Sequence, residues 1–188
     1  MGYDVEKPAA ILPPVAVTER WLERAIIGLN LCPFAKAVHV KRQIRYAVSE
    51  ATTVDGLRID LQRELEFLAR ADPEAVDTTL LIHPRVLTEF TAYNRFLLAA
   101  DALVSELGLE GVLQIASFHP DYEFADSAPG AIDNYSNRSP YPMLHLLREA
   151  SIDRAVTAFP DAAAIYGRNI ETLRELGYEG WSALWRDA

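Results

Sequence analysis

The sequence predicts an α/β fold, a small three-stranded and mainly parallel sheet with helices on both faces. Two short apolar runs, 78–82 and 112–118, have the length and continuity of strands buried on both sides, and each ends in His-Pro. Stretches of helical period stand before, between and after these runs. Alternation of strand and helix with short turns implies parallel pairing through right-handed crossovers.

Taken in order, residues 1–16 hold Pro8, Pro13 and Pro14 without apolar period and read as a flexible N-terminal tail, which leaves 17–188 as a single domain. Thr18 is the expected cap of a first helix whose apolar face is Trp21, Leu22, Ala25, Ile26 and Leu29; Pro33 ends it near Leu31. From Val38 to Val48 apolar residues alternate, broken only at Arg42, which is the pattern of a half-buried strand. Thr52 and Asp55 resemble a capping box, followed by Val54, Leu57, Leu61, Leu65 and Leu68 at helical spacing. Thr88 is the expected cap of the next helix, with Phe90, Tyr93, Leu97, Ala100, Val104 and Leu107 inward and Gly108 closing it. Beyond the third strand, helices are expected at about 143–149, 152–158 and 162–176, with Trp181 and Trp185 as packing anchors. The segment from Pro120 to Pro142 has neither period; its Tyr122, Phe124, Tyr135 and Tyr141 suit a binding loop folded onto the body.

Composition narrows the function classes. Half of the 188 residues are apolar, which suits one packed domain and excludes a disordered chain. A net charge of −9 repels phosphate backbones, so nucleic acid is not an expected partner. No apolar stretch approaches the length of a membrane span, the N-terminus lacks a signal-peptide pattern, and one cysteine forms no internal disulfide; a cytoplasmic protein is expected. The oligomeric state is not legible. Dinucleotide, P-loop and serine-elbow motifs are missing.

In an open parallel sheet, ligands bind beyond the carboxyl ends of the strands, where His83 and His119 both fall. Cys32 is the only thiol. At the N-cap of a short turn opened by Pro33, with Lys36 nearby, it is a nucleophile; at the end of the first helix it is a buried apolar residue. The letters Cys32-Pro33-Phe34-Ala35 resemble the redox site of omega glutathione transferases, where the motif follows a strand, whereas here it follows a helix. Asn134, Asn137, Arg138 and Ser139 precede an expected helix start, and amides, a hydroxyl and a guanidinium there suit an anion pocket, with His145 beside it. His145 and Glu149, four apart on that expected helix, could join His119 and Asp121 as ligands of a divalent metal.

The motifs Leu31-Cys32-Pro33-Phe34, Ser117-Phe118-His119-Pro120-Asp121-Tyr122 and Asn137-Arg138-Ser139-Pro140-Tyr141-Pro142, running on through His145-Leu146-Leu147-Arg148-Glu149, together resemble a family of bacterial proteins of about this length, a domain of unknown function. The resemblance runs from about Trp21 to Trp181 and implies no activity, cofactor or substrate.

The leading expectation from the residues is a thiol-dependent transferase or hydrolase without a cofactor, acting on a small anionic substrate. In it Cys32 is nucleophile, His119 general base with His83 beside it, Asp121 its orienter, and Arg138 with Asn134 and Asn137 the anion clamp, Ser139, His145 and Lys36 assisting. Two alternatives stand beside it: a metal-dependent enzyme using His119, Asp121, His145 and Glu149, and a non-catalytic module that binds an anion or a partner through the Pro120 to Pro142 loop.

Overall fold

The computed structural model describes residues 13–158 and 164–186, so residues 1–12 of the expected tail lie outside it. Helix α1 (Pro14–Trp21) begins with proline at its first position, where the missing N–H costs nothing, four residues before the expected cap; Thr18 is buried inside it. A wider helical stretch, Leu22–Ile27, continues it, followed by the short α2 (Ala35–Val40) and strand β1 (Ile44–Val48). Then come α3 (Val54–Arg70), β2 (Thr78–Ile82), α4 (Phe90–Glu106) and β3 (Leu113–Phe118). A connection carrying a 3-10 turn, Ile132–Ser136, leads to β4 (Met143–Arg148), α5 (Glu149–Ala158) and α6 (Ile165–Ala183).

The sheet has four strands in the order β1-β2-β4-β3, not the three expected. Only β1 and β2 pair in parallel; β4 runs antiparallel to β2 on one side and to β3 on the other. The mainly parallel sheet expected from the sequence is therefore corrected to a mainly antiparallel one. The cause is residues 143–148, expected to be helical. Met and Leu favour helix when nothing else decides, but pairing on both edges satisfies the backbone and buries the apolar run, and that outweighs propensity. β1, β2 and β3 still share one direction, so β2 and β3 end on the same rim.

A second correction lies before β1. Residues 38–40 belong to α2, because the turn after Pro33, closed by Ala35 N–H to Cys32 O at 3.2 Å, starts a helix. Arg42, with φ 57°, ends it and turns the chain into the strand. The break in the alternating pattern at Arg42 is thus the boundary between the two elements. Caps shift by one residue elsewhere: Thr53 Oγ1 accepts from Gly56 N–H at the start of α3, and Glu89 Oε2 accepts from Ala92 N–H at the start of α4. Gly108, at φ 66°, closes α4 as expected.

Helices stand on both faces of the sheet. On the first face, Leu57, Leu61, Leu65 and Leu68 of α3 and Tyr93, Phe96, Ala100 and Leu103 of α4 pack on Leu81, Leu113, Leu144 and Leu146. Each fully buried leucine there contributes about 2 kcal/mol of transfer free energy. On the second face, Trp21, Leu22, Ala25 and Ile26, together with Leu173 of α6, pack on Ile82, Met143 and Phe118. Arg148, 8% exposed, ends β4 by donating to the carbonyls of Leu68 and Ala71 at 2.6 and 2.7 Å, where α3 would otherwise leave them unsatisfied. No helix among the described residues is long and apolar enough to cross a membrane.

Candidate functional site

A cavity of about 580 Å³ opens on the second face between α1, the connection from β3 to β4, and the end of α6. That volume suits a small molecule. Trp21, Trp181 and Trp185, the three tryptophans of the chain, all line it, with Tyr135 and Pro120. Tyr135 meets Trp181 edge-on, centroids 5.1 Å apart at 90°, and Trp181 meets Trp185 at 5.6 Å. Trp21 Nε1–H donates to Arg138 O at 2.9 Å and so ties the connection to α1.

The wall is held by contacts between remote parts of the chain. Arg20 donates to Trp185 O at 3.1 Å and Arg24 to Leu184 O at 2.7 Å, both cations meeting the carboxyl end of α6. Arg174 pairs with Asp133 through two contacts, 2.9 and 2.6 Å, and Tyr178 O–H donates to Gly130 O at 3.0 Å. Between these lies Gly177, with φ 64° and ψ 176°, which bends α6 before Trp181. That conformation favours glycine.

Two cations line the cavity: Arg20, which donates to Trp185 O, and Arg138. The Arg138 guanidinium lies 4.5 Å from the centre of the Tyr135 ring, and its Nε–H donates to Tyr122 O at 3.3 Å. Among the described residues no carboxylate pairs with it and neither Nη group has a hydrogen-bond partner. In a chain with nine excess acidic groups, this arginine stands on an aromatic wall without a carboxylate partner among the described residues.

A model of the family described as protein of unknown function, DUF1415, matches residues 14–183. The chain belongs to the DUF1415 family. Comparison with curated proteins and with solved structures gives no match. The family model covers every part of the cavity wall except Trp185.

The two strand-end histidines of this DUF1415 member do meet at one rim, but on the first face, around Tyr93. Ring centroids are 5.8 Å from His83 to Tyr93 and 5.1 Å from Tyr93 to His119. Tyr93 O–H donates to Met143 O at 2.7 Å and accepts from Phe118 N–H at 3.0 Å, bridging the ends of β3 and β4. His119 Nδ1 accepts from Asp121 N–H at 3.0 Å, so its proton sits on Nε2 and goes to Leu87 O at 3.3 Å. His83 Nδ1 donates to Val86 O at 2.9 Å. Both rings thereby clamp the turn after β2, in which Leu87 adopts φ 54°. Burial pushes His83 down to about 4 and lowers His119, although the nearby Asp121 charge opposes the latter. Asp121 orients His119 through its backbone and keeps an exposed side chain.

Cys32 packs in the second-face cluster with Leu31 and Ala35, so the sheet separates it from both imidazoles. Burial pushes its thiol up, against the N–H groups of Phe34 and Ala35, which lower it. Asn134 and Asn137 stand behind the cavity wall rather than in it: Asn134 joins Phe124 N–H to Ala128 O, and Asn137 donates to Ser117 O at 3.1 Å. Ser139 lines the cavity and donates to Tyr141 O at 2.6 Å. Lys36 is exposed on α2.

His145 is in the middle of β4, where Thr78 Oγ1–H goes to Leu146 O at 2.6 Å and His145 Nε2–H therefore donates to Thr78 Oγ1 at 2.7 Å. Burial pushes it down to about 4. Glu149 lies at the far end of the strand, roughly 20 Å from the rim that holds His119 and Asp121. The helix that was to bring His145 and Glu149 together is a strand, and among the described residues no group of three or more His, Cys, Asp or Glu is placed to hold a metal.

The tryptophan wall is what residue chemistry missed. Its signals were present as spacing: Trp181 and Trp185 are four apart, as are Arg20 and Arg24. What joins the two pairs is contact across the fold.

Proposed function

We propose that this protein is a binding module for a small anionic molecule, held in the cavity between α1, the β3–β4 connection and α6. The observation that carries the reading is Arg138: a guanidinium stacked on Tyr135, facing a cavity of small-molecule size, with no carboxylate partner among the described residues. The surrounding rings lower the local dielectric and strengthen its attraction for an anion. Trp21 holds the Arg138 backbone and Tyr122 its Nε, so the receptor is fixed before a ligand arrives.

The thiol-dependent reading draws no support from this geometry, because Cys32 and the imidazoles pack on opposite faces and both nitrogens of His119 are engaged with backbone groups. Titration of benzoate and of inorganic phosphate, followed by calorimetry and by tryptophan emission, tests the proposal. At least one of the two anions binds, and Arg138→Ala weakens it tenfold or more while Cys32→Ser leaves it within twofold. Binding of neither anion, or binding indifferent to Arg138, overturns the proposal.

A further inference from the structure

We infer that the anion is a flat aromatic carboxylate, its carboxylate on Arg138 and its ring against Trp181 and Trp185. This inference rests on the anion-binding reading above and adds the chemical class to it. Three features of the cavity lead there.

The first is the wall. Tyr135, Trp181 and Trp185 stand at steep angles to one another, 90° and 71°, and so offer edges and faces along one side of the space. A flat π-system matches such a surface by edge-to-face and offset contacts, which a saturated ring of equal size does not make. The second is the charge count. A guanidinium receives a carboxylate through two parallel N–H donors, and Arg138 has both Nη groups without partners among the described residues.

The third is the field. The helix end that closes the cavity is the carboxyl end of α6, whose carbonyls are already held by Arg20 and Arg24. Those two guanidinium groups offset the negative pole of the helix end, so the opposition to additional negative charge comes from the chain's net charge of −9. That repulsion grows with ligand charge, so it favours a monoanion over phosphate and a polyphosphate least of all. Pro120 and Pro140 complete an apolar lining that an aromatic ring fills without leaving a polar group unpaired.

The test is calorimetry of the full chain with four probes: 2-naphthoate, cyclohexanecarboxylate, 2-naphthalenemethanol and inorganic phosphate. Naphthoate is expected to bind at least tenfold tighter than each of the other three. Trp181→Leu should weaken naphthoate tenfold or more, and Arg138→Gln should bring naphthoate down to the level of naphthalenemethanol. Thermal melts of both variants check that each is folded, and Trp185→Leu replaces Trp181→Leu if the latter is not.

Each contrary result has one meaning. Cyclohexanecarboxylate equal to naphthoate shows that the rings do not select an aromatic ligand. Phosphate tighter than naphthoate gives the wrong class of anion. In both cases the present inference falls while the anion-binding reading stands. Naphthalenemethanol equal to naphthoate, or no binding by any probe, overturns both.

Discussion

The two faces of the sheet treat their polar groups differently at the same rim. On the first face His83, Tyr93 and His119 gather as tightly as an active site, yet four of their five polar ring and hydroxyl atoms are engaged by backbone groups of the turn after β2, of the strand ends and of Asp121. The remaining one, His83 Nε2, is buried and has no partner among the described residues. On the second face Arg138 keeps two Nη groups that no described residue engages, over a cavity. A cluster of titratable residues is therefore not by itself a site. Donors left over once the fold is satisfied are the better sign, because a buried polar group without a partner is costly and an exposed one can be given to a ligand.

The largest expected effect breaks the first face. Tyr93→Phe leaves Met143 O and Phe118 N–H without their partner, at a cost of about 3 kcal/mol in urea denaturation. The anion affinity of the folded variant should stay within twofold. A stable Tyr93→Phe protein that has lost anion binding would reverse the roles assigned to the two faces.

Acid provides the next effect. His83 has its folded value lowered to about 4 from an ordinary 6.5, so between these values the unfolded chain binds more protons and stability falls as the pH falls. From pH 7.5 to pH 5 this removes about 2 kcal/mol, a loss that His83→Asn should not share. Denaturation curves at the two pH values check it; equal losses in both proteins would mean that His83 is not held neutral.

A smaller effect sharpens the second face. Gly177→Ala places a Cβ at φ 64°, which costs about 1 kcal/mol and lowers the melting temperature by about 2–4 °C. No atom stands within 4 Å of the added carbon, so the cost is backbone strain and not a clash. Because the bend at Gly177 directs Trp181 to the cavity, anion affinity should fall with it.

How far the sequence discloses all this depends on whether a signal is local. α3 and α4 follow from periodicity because each buries one face of its own segment, as Leu57, Leu61, Leu65 and Leu68 do, and β2 and β3 follow from short continuous apolar runs. β4 does not: Met143–Arg148 reads as helix in isolation, and only the edges of β2 and β3 make it a strand. With β4 misread, His145 and Glu149 become neighbours that the fold sets apart. Arg138 was legible because its segment is dense in polar groups. Its tryptophan wall was not, since Trp21 and Trp181 come together from opposite ends of the chain. Asn134 and Asn137 illustrate the remaining ambiguity, for amides that hold a loop and amides that hold a ligand have the same sequence.

The smallest expected effect is that of Cys32→Ser. The thiol is partly buried beside Leu31 and Ala35, its ionisation opposed by that burial, and it is far in the packing from either imidazole. A serine hydroxyl in its place keeps the N–H groups of Phe34 and Ala35 as donors, so the exchange should cost less than about 1 kcal/mol and leave anion affinity unchanged. In the folded protein, modification by iodoacetamide at pH 7 should be several times slower than in urea, because the thiolate that reacts is the form burial disfavours. Faster alkylation of the folded protein than of the unfolded chain would mean that the two backbone donors outweigh burial. Cys32 would then be the reactive group of the second face, and the contrast between a satisfied rim and a receptive cavity would have to include it.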